Sequence, residues 1–298
     1  ILPEMMYRQF GDEEALPRQY ESMKLFVEAE IRKMGKKNLW IGPSLGDWLA
    51  MGKGIAWQAM HNNPVSNAFI VHDLKVISET AERFGKREDA ARYRRQLAAT
   101  TDAYIKKFVS KNGIVAKDYQ SAYIMALKYV LPEGELRERV RKNFVANIRK
   151  NGLQTGFFAT EHLLPLLVEA GEQKLAYDVL LQENCPGWMY QVKCGATTTW
   201  ERWDALKPDG TVTRRKWRAP VKIWYPLTIT HSAVWGSFTI NISWESDRKN
   251  RALQNCILHL IRTSAWEAYP EAIFPWQGRS RAHGGTNRTA AISGLQRR

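Results

Sequence analysis

Apolar positions in the first 185 residues recur at intervals of three and four. Ile70, Leu74, Ile77, Ala81 and Phe84 follow a 4-3-4-3 spacing that sets them on one face of a helix. Tyr93, Leu97, Tyr104 and Phe108 mark a second such face, ended by Asn112-Gly113. The pattern predicts an opening helix from Tyr20 to Met34 and others from Gln120 to Val130 and from Glu133 to Lys150. Two more run through Glu161–Ala170 and Glu172–Leu181, divided by Gly171. Gly85 and Asn151-Gly152 stand where C-terminal caps belong. No alternating strand pattern of useful length precedes residue 185, which excludes an α/β protein. Consecutive helices with short connections suit a bundle, a solenoid or a closed toroid of hairpins. The letters carry no fixed-period repeat, which weighs against the solenoid.

The pattern changes after Val212. Helical periodicity fades, six of the twelve tryptophans lie beyond that point, and the last twenty residues are rich in Gly, Ser, Thr and Arg. Charge changes with it. Residues 213–298 hold fourteen Lys/Arg against four Asp/Glu, a net of +10, while the first 212 residues account for only +4 of the total +14. The basic residues form no helical stripe and no recognition motif, so nucleic acid is not an expected partner. No run approaches eighteen uncharged apolar residues, so no membrane-spanning helix is expected either. The chain opens on Ile1 rather than Met, the start expected of a cut end. Cys185, Cys194 and Cys256 show no metal-ligand spacing and read as free thiols. The six histidines are scattered, and neither a metal nor another cofactor is expected. Compartment and oligomeric state stay open.

Two segments concentrate aromatic and carboxylate side chains between helices. One is Gly46-Asp47-Trp48-Leu49. The other runs from Trp188-Met189-Tyr190 to Gly195-Ala196-Thr197-Thr198-Thr199-Trp200-Glu201-Arg202-Trp203-Asp204. Sugars present C–H faces to aromatic rings and hydroxyls to carboxylates, and glycoside hydrolysis uses a pair of carboxyl groups flanking the scissile bond. A carboxylate between two tryptophans meets both demands. The plainer reading of Trp200-Glu201-Arg202-Trp203 is a surface Glu–Arg pair beside two core indoles. Asp47 also reads as the N-cap of a helix starting at Trp48, a role compatible with sugar binding. Glu161 and His162, beside Gly156-Phe157-Phe158, read as lining a loop.

Leu153-Gln154-Thr155-Gly156-Phe157, Leu163-Leu164-Pro165-Leu166-Leu167, Gly187-Trp188-Met189-Tyr190 and the Gly195–Asp204 run together resemble the bacterial α-L-rhamnosidase family. Gly46-Asp47-Trp48-Leu49 and Tyr20-Glu21-Ser22-Met23-Lys24 match as well, in the same order. The resemblance covers roughly residues 5 to 212. It implies an all-α fold, an incomplete (α/α)6 helical toroid over residues 1–212, and hydrolysis of terminal α-L-rhamnosyl groups with inversion. Glu201 then matches the general base and Trp48 an aromatic of the rhamnose pocket, with Asp47, Tyr190, Trp200 and Trp203 as further substrate-binding candidates. The partner implied is a rhamnose-containing glycoside or polysaccharide. Thr160-Glu161-His162 departs from the family's more usual Thr-Pro-Tyr, which bears on the preferred aglycone. The family's general acid sits in an acidic segment upstream of the Gly-Asp-Trp loop, so this fragment alone is expected to be inactive. The alternatives are a non-catalytic carbohydrate-binding scaffold on the same toroid and another inverting (α/α)6 glycosidase.

The resemblance also bears on residues 213–298. The family continues, after a motif matched by Lys207 to Gly210, with a Ser-x-Asn-His-Tyr stretch that this chain lacks. Read from the third base of each codon, Lys222 to Glu245 permits the family's continuation, including that motif. Three letters are forced by the genetic code and fall where the family has them: Val from Trp224-Tyr225, and Gly from Trp235-Gly236 and from Trp244-Glu245. The expectation is an out-of-frame, irregular tail from about Thr213, in which His231 is not the family's pocket histidine.

Overall fold

The computed structural model describes residues 2–11, 13–196 and 199–213. The expected tail, apart from Thr213, lies outside the described residues, as do Thr197, Thr198 and Cys256. The described chain is all-α. Its helices are α1 (Leu2–Phe10), α2 (Ala15–Met34), α3 (Ile55–His61), α4 (Asn63–Arg83), α5 (Arg87–Phe108), α6 (Gln120–Met125), α7 (Glu135–Asn151), α8 (Phe157–Glu169), α9 (Gln173–Leu181) and α10 (Trp188–Lys193). Extended pairing among the described residues is limited to the isolated bridges Val109–Val115 and Leu206–Val212.

Three helical hairpins, α4/α5, α6/α7 and α8/α9, form the body, and α6 neighbours both α4 and α8. The sequence separates inner from outer members. All six residues of α6 are buried, and α8 buries Ala159, Thr160, His162, Leu163, Leu164, Leu166 and Leu167. Its partner α9 buries only Ala176, Val179 and Leu180, one stripe of an amphipathic helix. An inner layer of apolar helices wrapped by amphipathic ones is the arrangement of an incomplete (α/α)6 toroid.

Around α4, one cluster joins Tyr20, Val27 and Met34 of α2 to Ile70, Leu74, Ile77 and Ala81 of α4 and to Ala90 and Tyr93 of α5. Its edge carries two polar ties. Asp89 accepts from the Tyr20 hydroxyl at 2.9 Å and the Lys24 ammonium at 2.8 Å. Glu28 accepts from the Tyr93 hydroxyl at 2.7 Å and from Arg92.

The helix predicted over Gln120–Val130 is regular only to Met125. It widens into a π turn over Ala126–Val130, closed by the Leu131 amide on the Ala126 carbonyl at 2.9 Å. Pro132 follows, and the residue before a proline is driven out of the helical region. The helix predicted from Glu161 begins four residues earlier, for a reason given below. No helix among the described residues is long and apolar enough to cross a membrane.

Candidate active site

The Gly46–Ala50 loop is held from three sides. Gly46 stands at φ 47°, and a Cβ there would lie 2.2 Å from Asn62 Cβ, so the turn admits glycine alone. Leu49 is left-handed at φ 61°, a conformation that costs a non-glycine residue about 1–3 kcal/mol unless its surroundings enforce it. They do: its amide donates to Gln58 Oε1 at 2.9 Å, and Gln58 Nε2 donates to the Lys53 carbonyl at 2.8 Å.

Asp47 does not cap a helix starting at Trp48, because residues 47–52 form turns. Its side chain is 0% exposed and reaches α8 instead. Oδ2 accepts from the Gly156 amide at 2.7 Å, and Oδ1 accepts from Phe158 at 2.7 Å and Ala159 at 3.1 Å. These are the orphan donors of a helix N-terminus, which a carboxylate satisfies with help from the helix dipole. Burial raises the Asp47 pKa, while the Ser121 hydroxyl and the three amides pull toward the carboxylate. This distant cap is why α8 starts at Phe157, and it places Glu161 and His162 inside a helix rather than in a loop.

The same loop also meets α8 through its backbone. The Phe157 amide donates to the Trp48 carbonyl at 3.1 Å, and the Met51 amide to the Gln154 carbonyl at 3.1 Å. Gly156 has no room for a side chain, since a Cβ would sit 2.2 Å from the Trp48 carbonyl oxygen. Trp48 itself is half-buried.

The second motif loop meets the chain just before α8. Trp203 Nε1 donates to the Thr155 carbonyl at 3.0 Å, and its ring packs edge-on against Trp188 with centroids 4.9 Å apart. The Trp200 amide donates to Gln191 Oε1 at 3.0 Å, its ring lies 6.2 Å from Tyr190, and the Tyr190 hydroxyl donates to the Leu206 carbonyl at 2.8 Å. Trp200, Trp203 and Tyr190 are all buried. Between the two tryptophans, Glu201 occupies a bend and is half-buried. Arg202 is engaged by Asp204 at 2.9 Å and 3.2 Å.

Hydrogen bonds therefore tie Asp47 and Trp48 to Gly156–Ala159, at the start of α8, and Trp203 to the preceding Thr155. Trp200 and Tyr190 pack against each other. Sequence reasoning missed Thr155 and Gly156 as the shared anchor. The Gly-Phe-Phe run was their signal, a glycine before two bulky residues at a helix start. Among the described residues, no group of His, Cys, Asp and Glu is placed to hold a metal ion, and Cys185 and Cys194 are free thiols.

Residues 1–219 match the bacterial alpha-L-rhamnosidase 6 hairpin glycosidase domain. An alpha-L-rhamnosidase of Alteromonas sp. (strain LOR) is 34% identical over 214 residues, covering 69% of this chain and 23% of that protein. The crystal structure of Streptomyces avermitilis alpha-L-rhamnosidase complexed with L-rhamnose superposes with a TM-score of 0.65 at 30% identity, covering 72% of this chain and 20% of that one. The rhamnosidase structure from Aspergillus terreus gives a TM-score of 0.65 at 29% identity, over 71% of this chain and 25% of that one. The chain thus spans between a fifth and a quarter of the length of these relatives.

Proposed function

The chain belongs to the bacterial α-L-rhamnosidase six-hairpin glycosidase family, and from that premise we propose that it forms part of the catalytic barrel of an inverting hydrolase that releases terminal α-L-rhamnosyl groups from glycosides. The observation that supports this reading is the convergence of the two motif loops on one helix start. The Trp48 carbonyl accepts from the Phe157 amide, and the loop carrying Glu201 is tied through Trp203 to the Thr155 carbonyl two residues earlier.

In this reading Glu201 is the general base. Its carboxylate takes a proton from a water, whose oxygen forms a bond to the anomeric carbon as the bond to the leaving oxygen breaks on the opposite face. A general acid protonates that leaving oxygen. In the inverting scheme the two carboxyl groups stand roughly 6.5–9.5 Å apart with the water between them. We place the acid outside the described residues, in the part of the relatives' length that this chain does not span. Trp48 offers its ring to the sugar. Asp47 acts as a positioning residue through α8, while Trp200, Trp203 and Tyr190 hold the Glu201 bend from behind.

The test uses a longer protein in which these residues stand beside an upstream acidic partner. Glu201→Gln keeps the shape and removes the base, so turnover of an aryl α-L-rhamnoside is expected to fall at least about a hundredfold. Near-normal turnover by that variant would refute the assignment. The 298-residue chain alone is expected to show no measurable turnover, and robust hydrolysis by it would refute the placement of the acid.

A further inference from the structure

Gln191 lies in the last turn of α10 and is 3% exposed. Its main chain and its side chain hold the two ends of the stretch that leads to Glu201. At the near end, Gly195 takes φ 79° just past the helix, and the chain closes in a glycine-capped turn. The Gly195 amide donates to the Val192 carbonyl at 2.9 Å, and the Ala196 amide to the Gln191 carbonyl at 3.0 Å. At the far end, Gln191 Oε1 accepts from the Trp200 amide at 3.0 Å. Trp200 immediately precedes Glu201. On the other flank, the Trp203 indole is tied to Thr155. The Glu201 bend thus hangs between two anchors, one of which is a single glutamine side chain.

Only the acceptor end of that side chain is used. Gln191 Nε2 is buried and has no hydrogen-bond partner among the described residues. A buried donor left without an acceptor costs stability, and an apolar residue of the same length would avoid that cost. What such a residue cannot supply is an oxygen for the Trp200 amide. Resting on the rhamnosidase reading above, we infer that Gln191 is a positioning residue for the general base. Its Oε1 fixes the Trp200 amide, and with it the backbone from which the Glu201 carboxylate reaches the water. A base takes a proton only within hydrogen-bond reach, about 2.6–3.2 Å, so a small shift of that backbone acts on turnover. Gln191 is buried in α10 and meets no sugar in this scheme, so its effect falls on the chemical step and not on binding.

The test has two arms. In the 298-residue chain, amide hydrogen exchange read by NMR follows the two ties. Gln191→Met keeps the length and removes the oxygen, and Gln191→Asn keeps the amide and shortens its reach. Both are expected to speed exchange at Trp200, while Ala196, held by a main-chain carbonyl, stays protected. In the longer protein used to test Glu201, both variants are expected to lower kcat on an aryl α-L-rhamnoside about tenfold or more with KM unchanged, as displacement of a catalytic group does. The decisive comparison is made in the Glu201→Gln background. A residue that acts through the base has nothing left to position there, so Gln191→Met should add no further loss. An equal loss in both backgrounds would show a structural role alone and overturn the inference. Unchanged kcat in both Gln191 variants, beside a loss of about a hundredfold for Glu201→Gln, would overturn it too and leave the base standing. Near-normal turnover by Glu201→Gln refutes the base itself, and the role of Gln191 falls with it.

Discussion

At the scale of single residues, Asp47 is a helix cap, but of α8, whose cap position Gly156 lies 109 residues on, and not of the segment it precedes. Gly-Asp-Trp invites a carboxylate facing a sugar, yet the carboxylate is withdrawn from solvent and bound to three amides of α8. Removing it leaves those donors buried. Loss of an N-cap costs about 1 kcal/mol, and a buried unsatisfied amide about 1–3 kcal/mol. Asp47→Ala is therefore expected to destabilise the chain by about 2–4 kcal/mol in urea unfolding, with Asp47→Asn intermediate because one acceptor oxygen remains. A midpoint for Asp47→Ala equal to that of the unaltered chain would show that other groups serve the α8 terminus.

At the scale of elements, the α2–α4 seam carries a pH signature. Burial raises Glu30 of α2 to about 8, helped by the nearby Asp73 charge, and burial raises Asp73 of α4 to about 6. Glu30 Oε2 is buried and has no hydrogen-bond partner. The folded chain holds these protons more tightly than the unfolded chain, whose carboxyls titrate near 4. Their contribution is complete below about pH 4 and is lost as pH climbs through about 6 for Asp73 and about 8 for Glu30. Buried His72 and His162, lowered to about 4 and about 3, add stability as pH rises toward about 6.5 and oppose this loss below that point. Thermal midpoints should therefore fall between about pH 6.5 and pH 8, as Glu30 ionises, and Glu30→Gln should flatten that fall. A slope identical in the variant would contradict the assignment to Glu30. Periodicity made most of these helices legible, because the stripe of Ile70, Leu74, Ile77 and Ala81 reports burial on one face directly. It placed the start of α8 four residues late because the group that sets that start lies 109 residues away at Asp47, outside any local window. The residues alone read Trp200 and Trp203 as core indoles beside a Glu–Arg pair, and it is the family resemblance that makes them substrate-binding candidates; both rings are buried, and Trp203 packs on Trp188.

At the scale of the whole molecule, two compositions share one chain, and the proposed cause is a lost or gained base near residue 213. The nucleotide sequence is expected to encode, one frame away, a continuation with Ser-x-Asn-His-Tyr between the codons of Lys222 and Glu245. A shifted frame that does not spell that motif would refute the proposal. Within the helical part, the turn at Thr155–Ala159 joins segments made at very different moments. Gly156, which receives Asp47, is made 109 residues after it, and Thr155 waits another 48 for Trp203. At about 5–20 residues per second, a ribosome takes roughly 5–20 s to cover the first of these gaps. For that interval the Asp47 loop emerges with its carboxylate unclaimed and nothing on α8 to hold Trp48. The apparatus assigned here to the sugar is thus a late event in the life of the nascent chain.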